Sequence, residues 1–354
     1  MATQYYNAVT HNTSPYLTVY GQDGDVLTKI ADPATLPGGG AGWGVDWNHD
    51  ATSLAVGSSA SPFIQVYNRS GDVLTKIADP ATLPTSFVYG ASWSPDGTSL
   101  AVVEGSSPYV SVYNRSGDVL TKIADPATLP AGQGRGVSWS PDGTYLAVAN
   151  VTSPYVTIYS RSGDVLTKLA DPATLPTGTG FGASWTPDGN YLVITHATAP
   201  FLTMYSRSGS TFTKVADPAT TPPATAYSGS WSPDGTYLSV AHGSSPFVTV
   251  YSRSGSVLTK LPNPASLPTS TAFGTSWSPD GTYLSVANSG SSPFVTVYSR
   301  SGSVLTKLPN PASLPTSTAF GTSWSPDGTY LSVANSGSSP FVTVYSRSGS
   351  VLTK

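Results

Sequence analysis

Apolar and polar positions along this chain alternate with a period of two, in bursts of four to six residues separated by turn formers. The stretch 180–214 shows the pattern in full. Phe181, Ala183 and Trp185 fall on one face of a short strand, with Gly182 and Ser184 on the other. Thr186-Pro-Asp-Gly189 reads as a tight turn, because Pro presets φ and Gly accepts a positive φ. The alternation predicts further strands over 191–195, 201–205 and 211–214, the last two joined by a hairpin at Arg207-Ser-Gly209. The proline-bearing stretch 216–223 cannot continue a ladder, since its prolines lack donors, and reads as a linker.

This unit recurs along the whole chain. Trp47, Trp93, Trp139, Trp185, Trp231 and Trp277 stand 46 residues apart, and Trp324 follows after 47. A fixed period of that length marks a propeller or solenoid built from one supersecondary unit. Four-stranded units usually pack face to face around an axis, so the expected fold is all-β: a single β-propeller of four-stranded antiparallel blades. Tyr5–Val9 aligns with Thr52–Val56, so the chain opens at a second strand and blade 1, over 1–30, is expected to have three strands. Seven repeats of 46–47 residues then run to Lys354. Eight blades in one domain, 1–354, is the expected count, with seven blades as the alternative. The edge at Tyr5–Val9 is a candidate for self-association. Residues 261–307 and 308–354 are identical, which points to duplication and argues against a unique site in either copy.

Composition adds little that is specific. The 16 cations and 19 anions nearly balance, and most are copies of one repeat position. The arginines from Arg69 to Arg347 sit at hairpin tips and read as a solvated ring, and no cationic face suited to nucleic acid is predicted. The chain has no cysteine, no signal-peptide pattern and no apolar run of membrane-spanning length, so no membrane partner is expected. Low charge with abundant Ser, Thr, Gly and Pro suits an extracellular or particle surface, though no compartment follows from it.

The run Ser138-Trp-Ser-Pro-Asp-Gly-Thr-Tyr-Leu-Ala-Val148, followed by Tyr155-Val-Thr-Ile-Tyr159, resembles the WD-repeat and TolB-like propeller families. The whole unit, with its RSGD and ADPATLP segments, is similar to a repeat group of bacteriophage and bacterial proteins, and that resemblance implies a virion-associated role. The third strand ends Tyr-Ser or Tyr-Asn instead of Trp-Asp, and no Gly-His pair precedes the Trp strand. The buried Asp-His-Ser-Trp network of WD-repeats is therefore not expected.

Chemistry is sought where one repeat differs from its siblings. Trp43, Tyr89, Arg135, Phe181, Tyr227, Phe273 and Phe320 hold one position, four residues before each Trp. By alternation they share the Trp face, near the channel mouth. They form either a collar that grips a glycan or protein partner, or packing that caps each Trp, which is the preferred reading. A second set, His11, Ser58, Glu104, Asn150, His196, His242, Asn288 and Asn335, ends the second strand. Glu104, His196 and His242 are its candidates for partner contact, and His196 with His242 for a metal, against a preferred reading as loop caps; no cofactor is expected. The strand serines lack a His and acid in triad relation, and Asp46 is a lone carboxylate in a degenerate blade. The expected function is non-enzymatic binding or structure, with an amplified repeat scaffold as the alternative.

Overall fold

The computed structural model describes residues 5–11, 14–23, 26–38, 42–290, 292–336 and 341–354. These form eight antiparallel sheets, seven of four strands and one of three, each with its strands in sequence order. The chain is an all-β, eight-bladed propeller whose first blade is β1 (Tyr5–Thr10), β2 (Leu17–Asp23) and β3 (Val26–Lys29). The seven-blade alternative falls away, since the first three strands make a sheet of their own. Among the described residues no helix is long and apolar enough to cross a membrane.

Blade 5 shows the plan. Its Trp strand, Gly180–Trp185, pairs with Tyr191–His196, which pairs with Leu202–Ser208, and Thr211–Lys214 lies outermost. Gly189 turns the first hairpin at φ +68° and Gly209 the third at φ +55°, as the Pro-Asp-Gly and Ser-Gly signals require. The second connection differs from the expectation. Phe201, read as the first residue of the third strand, has φ +67°, and its N–H closes a turn on the Thr198 carbonyl at 2.8 Å. Tyr109, Tyr155 and Phe247 repeat this left-handed geometry, which a bulky residue adopts only under tertiary constraint. Phe201 and Phe247 each pack against a blade core, and those cores supply the constraint.

Two compact units divide the chain, Met1–Leu175 with Gly209–Thr211, and Pro176–Ser208 with Phe212–Lys354. In the first, Trp93 packs on Ala55, Ile64 and Val66 of the preceding blade, and Trp139 on Ala101, Val103 and Val112. In the second, Trp277 and Trp324 do the same against Val250 and Val297. Within each unit these Trp side chains thus serve the face of the blade before their own. The indole N–H of Trp139, Trp277 and Trp324 donates to a serine carbonyl of that blade at 3.1–3.2 Å. At two of the steps between neighbouring Trp strands the main chains approach too closely for a side chain. A Cβ on Gly44 would stand 2.9 Å from the Cα of Gly90, and one on Gly274 would stand 2.8 Å from the Phe320 carbonyl oxygen.

The third-strand tyrosines, from Tyr67 to Tyr345, are the largest fully buried side chains. The hydroxyls of Tyr159, Tyr251, Tyr298 and Tyr345 donate to linker carbonyls at 2.9–3.0 Å. Each of these four tyrosines therefore fills its blade core and ties down the proline-bearing linker with the same side chain, whereas the Tyr67 and Tyr113 hydroxyls are buried without a partner.

Candidate functional site

The aromatic position four residues before each Trp coincides with a β-bulge. Gly180 pairs with His196 and Gly182 with Thr195, so Phe181 has no opposite number. The same register shift brackets Tyr89, Arg135, Tyr227, Phe273 and Phe320. A bulge re-aims the residue it carries. Strict alternation therefore does not run through these positions, and the inference that they share the Trp face does not follow. Small residues on both sides, as in Gly-Phe-Gly and Gly-Arg-Gly, are the sequence signal for this feature.

Re-aimed, the rings meet one another. In the second unit Phe181, Tyr227, Phe273 and Phe320 form a continuous row, with centroids 5.6, 5.3 and 5.2 Å apart and each ring tilted on the next. The first three are half-buried and Phe320 is 51% exposed. In the first unit the Arg135 guanidinium lies over Tyr89, 4.2 Å from its centroid, and Phe87 meets Tyr89 edge-on at 4.9 Å. Trp43 has its backbone in the strand Gly42–Trp47, but its side chain lies outside the described residues.

The second-strand set is placed differently from a contact surface. Glu104, His196 and His242 are completely buried, as are Asn150 and Asn288. Each reaches within its own blade. His196 and His242 meet Thr203 and Thr249 through Nε2 at 3.0 and 2.9 Å, and Asn150 donates to Thr157 at 3.1 Å, always seven residues on. Glu104 accepts from Ser111 at 2.5 Å and from the N–H and hydroxyl of Thr85 in the linker, at 2.6 and 2.8 Å. Asn288 and Asn335 bond the equivalent linker threonines, Thr269 and Thr316. The position is a polar latch that fastens the second strand to the third or to the linker. Its members are not presented to a partner, which corrects the expectation of contact at Glu104, His196 and His242. The closed loop, not an open rim, takes one polar group of each, Nε2 of the histidines and Nδ2 of the asparagines, while Nδ1 of His196 and His242 and Oδ1 of Asn150 and Asn288 are buried without a hydrogen-bond partner. Burial lowers the pKa of both histidines, that of His242 to about 4, so they are neutral at pH 7.

Among the described residues no three His, Cys, Asp or Glu side chains converge in a metal-binding group. Asp46 accepts the backbone N–H of Trp93 at 2.7 Å, so a carboxylate of blade 2 caps the Trp strand of blade 3. Solvent partly reaches this group, yet protein atoms crowd it, and desolvation pushes its pKa up to about 7 against the pull of that N–H.

The repeated arginines are not a solvated ring. Arg253, Arg300 and Arg347 lie over Tyr191, Tyr237 and Tyr283 of the preceding blade, 4.9, 4.1 and 4.4 Å from the centroids. Arg115 and Arg161 donate to Asn68 and Ser99 at 2.8 and 2.6 Å. A long planar cation at a hairpin tip can reach back across a blade, and here it links neighbours within each unit. The lysines stay local. Lys168 and Lys214 pair at 2.6 Å with Asp171 and Asp217, three residues on. One groove of about 520 Å³ lies between Lys214–Thr220 and Ser256–Lys260.

With the geometry in place, the chain can be set beside known proteins. Residues 44–208 match the family model of eukaryotic translation initiation factor eIF2A. No curated protein matches the sequence. Many solved structures share the fold. The β-propeller domain of Cps50 (Swd1) from Myceliophteria thermophila is 11% identical with a TM-score of 0.66, covering 89% of this chain and 100% of that one. The periplasmic gluconolactonase PpgL of Pseudomonas aeruginosa is 18% identical with a TM-score of 0.63, covering 99% and 95%. A protein from Lactobacillus plantarum is 16% identical with a TM-score of 0.67, covering 89% and 98%. At such identities the likeness is one of fold. The chain shares the β-propeller fold with these proteins.

Proposed function

We propose that the protein is a non-enzymatic binding propeller whose aromatic row in the second unit, Phe181 to Phe320, carries a partner, glycan ahead of protein. The observation behind this is the row itself. Four rings in mutual contact, set on bulges, leave apolar area open at Phe320 where core packing would have closed it. Aromatic faces suit both the C–H faces of sugar rings and apolar side chains. Low charge and loops rich in Ser, Thr, Gly and Pro favour a virion or cell-surface setting. Tail or capsid genes beside the coding sequence are the expected context.

The test is a glycan array with the wild type, Tyr227→Ala and Phe320→Ala. Saturable binding that both variants weaken tenfold or more is expected. Binding indifferent to both changes, or none at all, counts against the reading. A second reading, a repeat scaffold without a dedicated ligand, draws on the identity of residues 261–307 and 308–354. It predicts no array binding and full folding of chains lacking one of the twin blades.

A further inference from the structure

Of the eight arginines, Arg135 alone is not a copy of the hairpin-tip position. It stands on the bulge of the strand Gly134–Trp139, where blades 5 to 8 carry phenylalanine or tyrosine. The change is not isolated. Two residues earlier, blades 5 to 8 carry threonine, and in the second unit Thr225 and Thr271 donate to the loop carbonyls of Ala197 and Gly243 at 3.1 and 3.3 Å. Blades 3 and 4 carry Phe87 and Gln133 there instead.

These departures meet within the first unit. Gln133 Nε2 donates to the Tyr89 hydroxyl at 3.1 Å, the Arg135 guanidinium lies over the Tyr89 ring, and Phe87 meets that ring edge-on. Phe87 in turn covers Gly105, where a side chain would run into its ring. Tyr89 is thus held at its hydroxyl, its face and its edge, and it gives the guanidinium a fixed seat.

What the cation lacks is an acceptor. The hairpin arginines Arg69, Arg161, Arg253 and Arg347 donate through Nε to backbone carbonyls. Among the described residues Arg135 donates to none and pairs with no carboxylate, and its Nε is buried without a hydrogen bond. Glu104, which ends the second strand of blade 3, is taken up by Ser111 and Thr85. A half-buried guanidinium without an acceptor is unfavourable by itself, so an anion that fits its fork gains more here than at a freely hydrated arginine.

We infer that Arg135 is an anion subsite whose ligand is the carboxylate of an acidic sugar. The sugar rests on the glycan reading above, and the charge rests on Arg135. Two coplanar carboxylate oxygens match the guanidinium fork. One cation balances one negative charge, whereas a phosphomonoester brings nearly a second, and Phe87, Tyr89 and Gln133 add no further cation. Phe87 and Gln133, both half-buried, supply ring surface and an amide in the same cluster, the groups that orient a sugar beside its charge.

The test titrates the whole chain, by calorimetry, with an oligoglucuronide and with the glucose oligomer of the same linkage. Saturable binding of the acid is expected, weakened by salt and about tenfold tighter than that of the glucose form. Arg135→Phe, which installs the residue that blade 5 carries on the same bulge, should lose about that tenfold preference while keeping the wild-type urea midpoint. No binding of the acid, equal binding of the two oligomers, or a preference that survives Arg135→Phe overturns the inference. So does tighter binding of a glutamate-rich peptide than of the oligoglucuronide, since that assigns the fork to a protein partner. Neutral-glycan binding that depends on Phe320 is read separately on the array, so failure at Arg135 and failure of the aromatic row are told apart.

Discussion

Blades 7 and 8 carry the same 47 residues in different surroundings, which separates what the sequence specifies from what its neighbours impose. Their cores agree: Tyr298 and Tyr345 are both fully buried and donate to Ser266 and Ser313 at 2.9 Å. Their rims do not. Phe273 has a ring on each side, Tyr227 and Phe320, and is half-buried, whereas Phe320 is 51% exposed. Tyr283 is half-buried beneath Arg347 and beside Trp324, and its twin Tyr330 is buried. A repeat thus fixes its own sheet and core. The environment of a residue at the blade boundary is set jointly with the next blade.

The comparison breaks most readily at the core. Tyr298→Ala and Tyr345→Ala should each cost about 3–5 kcal/mol in urea unfolding, from the lost ring and the freed linker carbonyl. Unequal losses would show that the twins differ in their interiors as well. The latch sharpens the comparison between siblings. His242 has a folded pKa of about 4 against an ordinary value near 6.5, so between those limits the unfolded chain binds the proton and the native one does not. Stability therefore falls as pH drops from 6.5 to 4, by about 3 kcal/mol for this group. His242→Asn keeps a polar partner for Thr249, as Asn150 does for Thr157, and should flatten that acid limb in Tm measured against pH.

Asp46 works in the opposite sense. Its pKa is raised to about 7, so the native state holds a proton that the unfolded chain has released, and stability falls as pH rises from about 4 to 7. Asp46→Ser, which installs the residue of the other blades, should raise stability at pH 8 by about 2 kcal/mol, allowing for solvent reach, and leave pH 4 nearly unchanged. Urea midpoints at the two values decide it. Smallest is the rim contrast itself. Phe273→Ala should cost about 1–2 kcal/mol and Phe320→Ala under about 0.5, and equal costs would place Phe320 under cover.

Much of the fold was legible because each unit states it independently. The period of two, the Pro-Asp-Gly turns and the proline linkers all agree; the strand expected over 211–214 lies there, and the one expected over 191–195 runs one residue further, to His196. The site was less legible. Alternation assumes an unbroken ladder, and the bulge at Phe181 breaks it. Phe201 misled in the same way. An aromatic residue favours a strand by propensity, yet here the blade core holds it at φ +67°. His196 and Glu104 differ from their siblings in type but not in task, so variation at their position signalled tolerance of several hydrogen-bonding groups in one latch.

The contact of Gly44 with Gly90, and of Gly274 with the Phe320 carbonyl, puts the step from one blade to the next under the control of bare backbone. At those two steps the approach is set by main chain rather than by the side chains that flank it. A cassette copied from one place in the array and set down in another therefore meets its new neighbours at the right pitch, and the twin sequences at 261–354 are the kind of event that this geometry lets a gene survive.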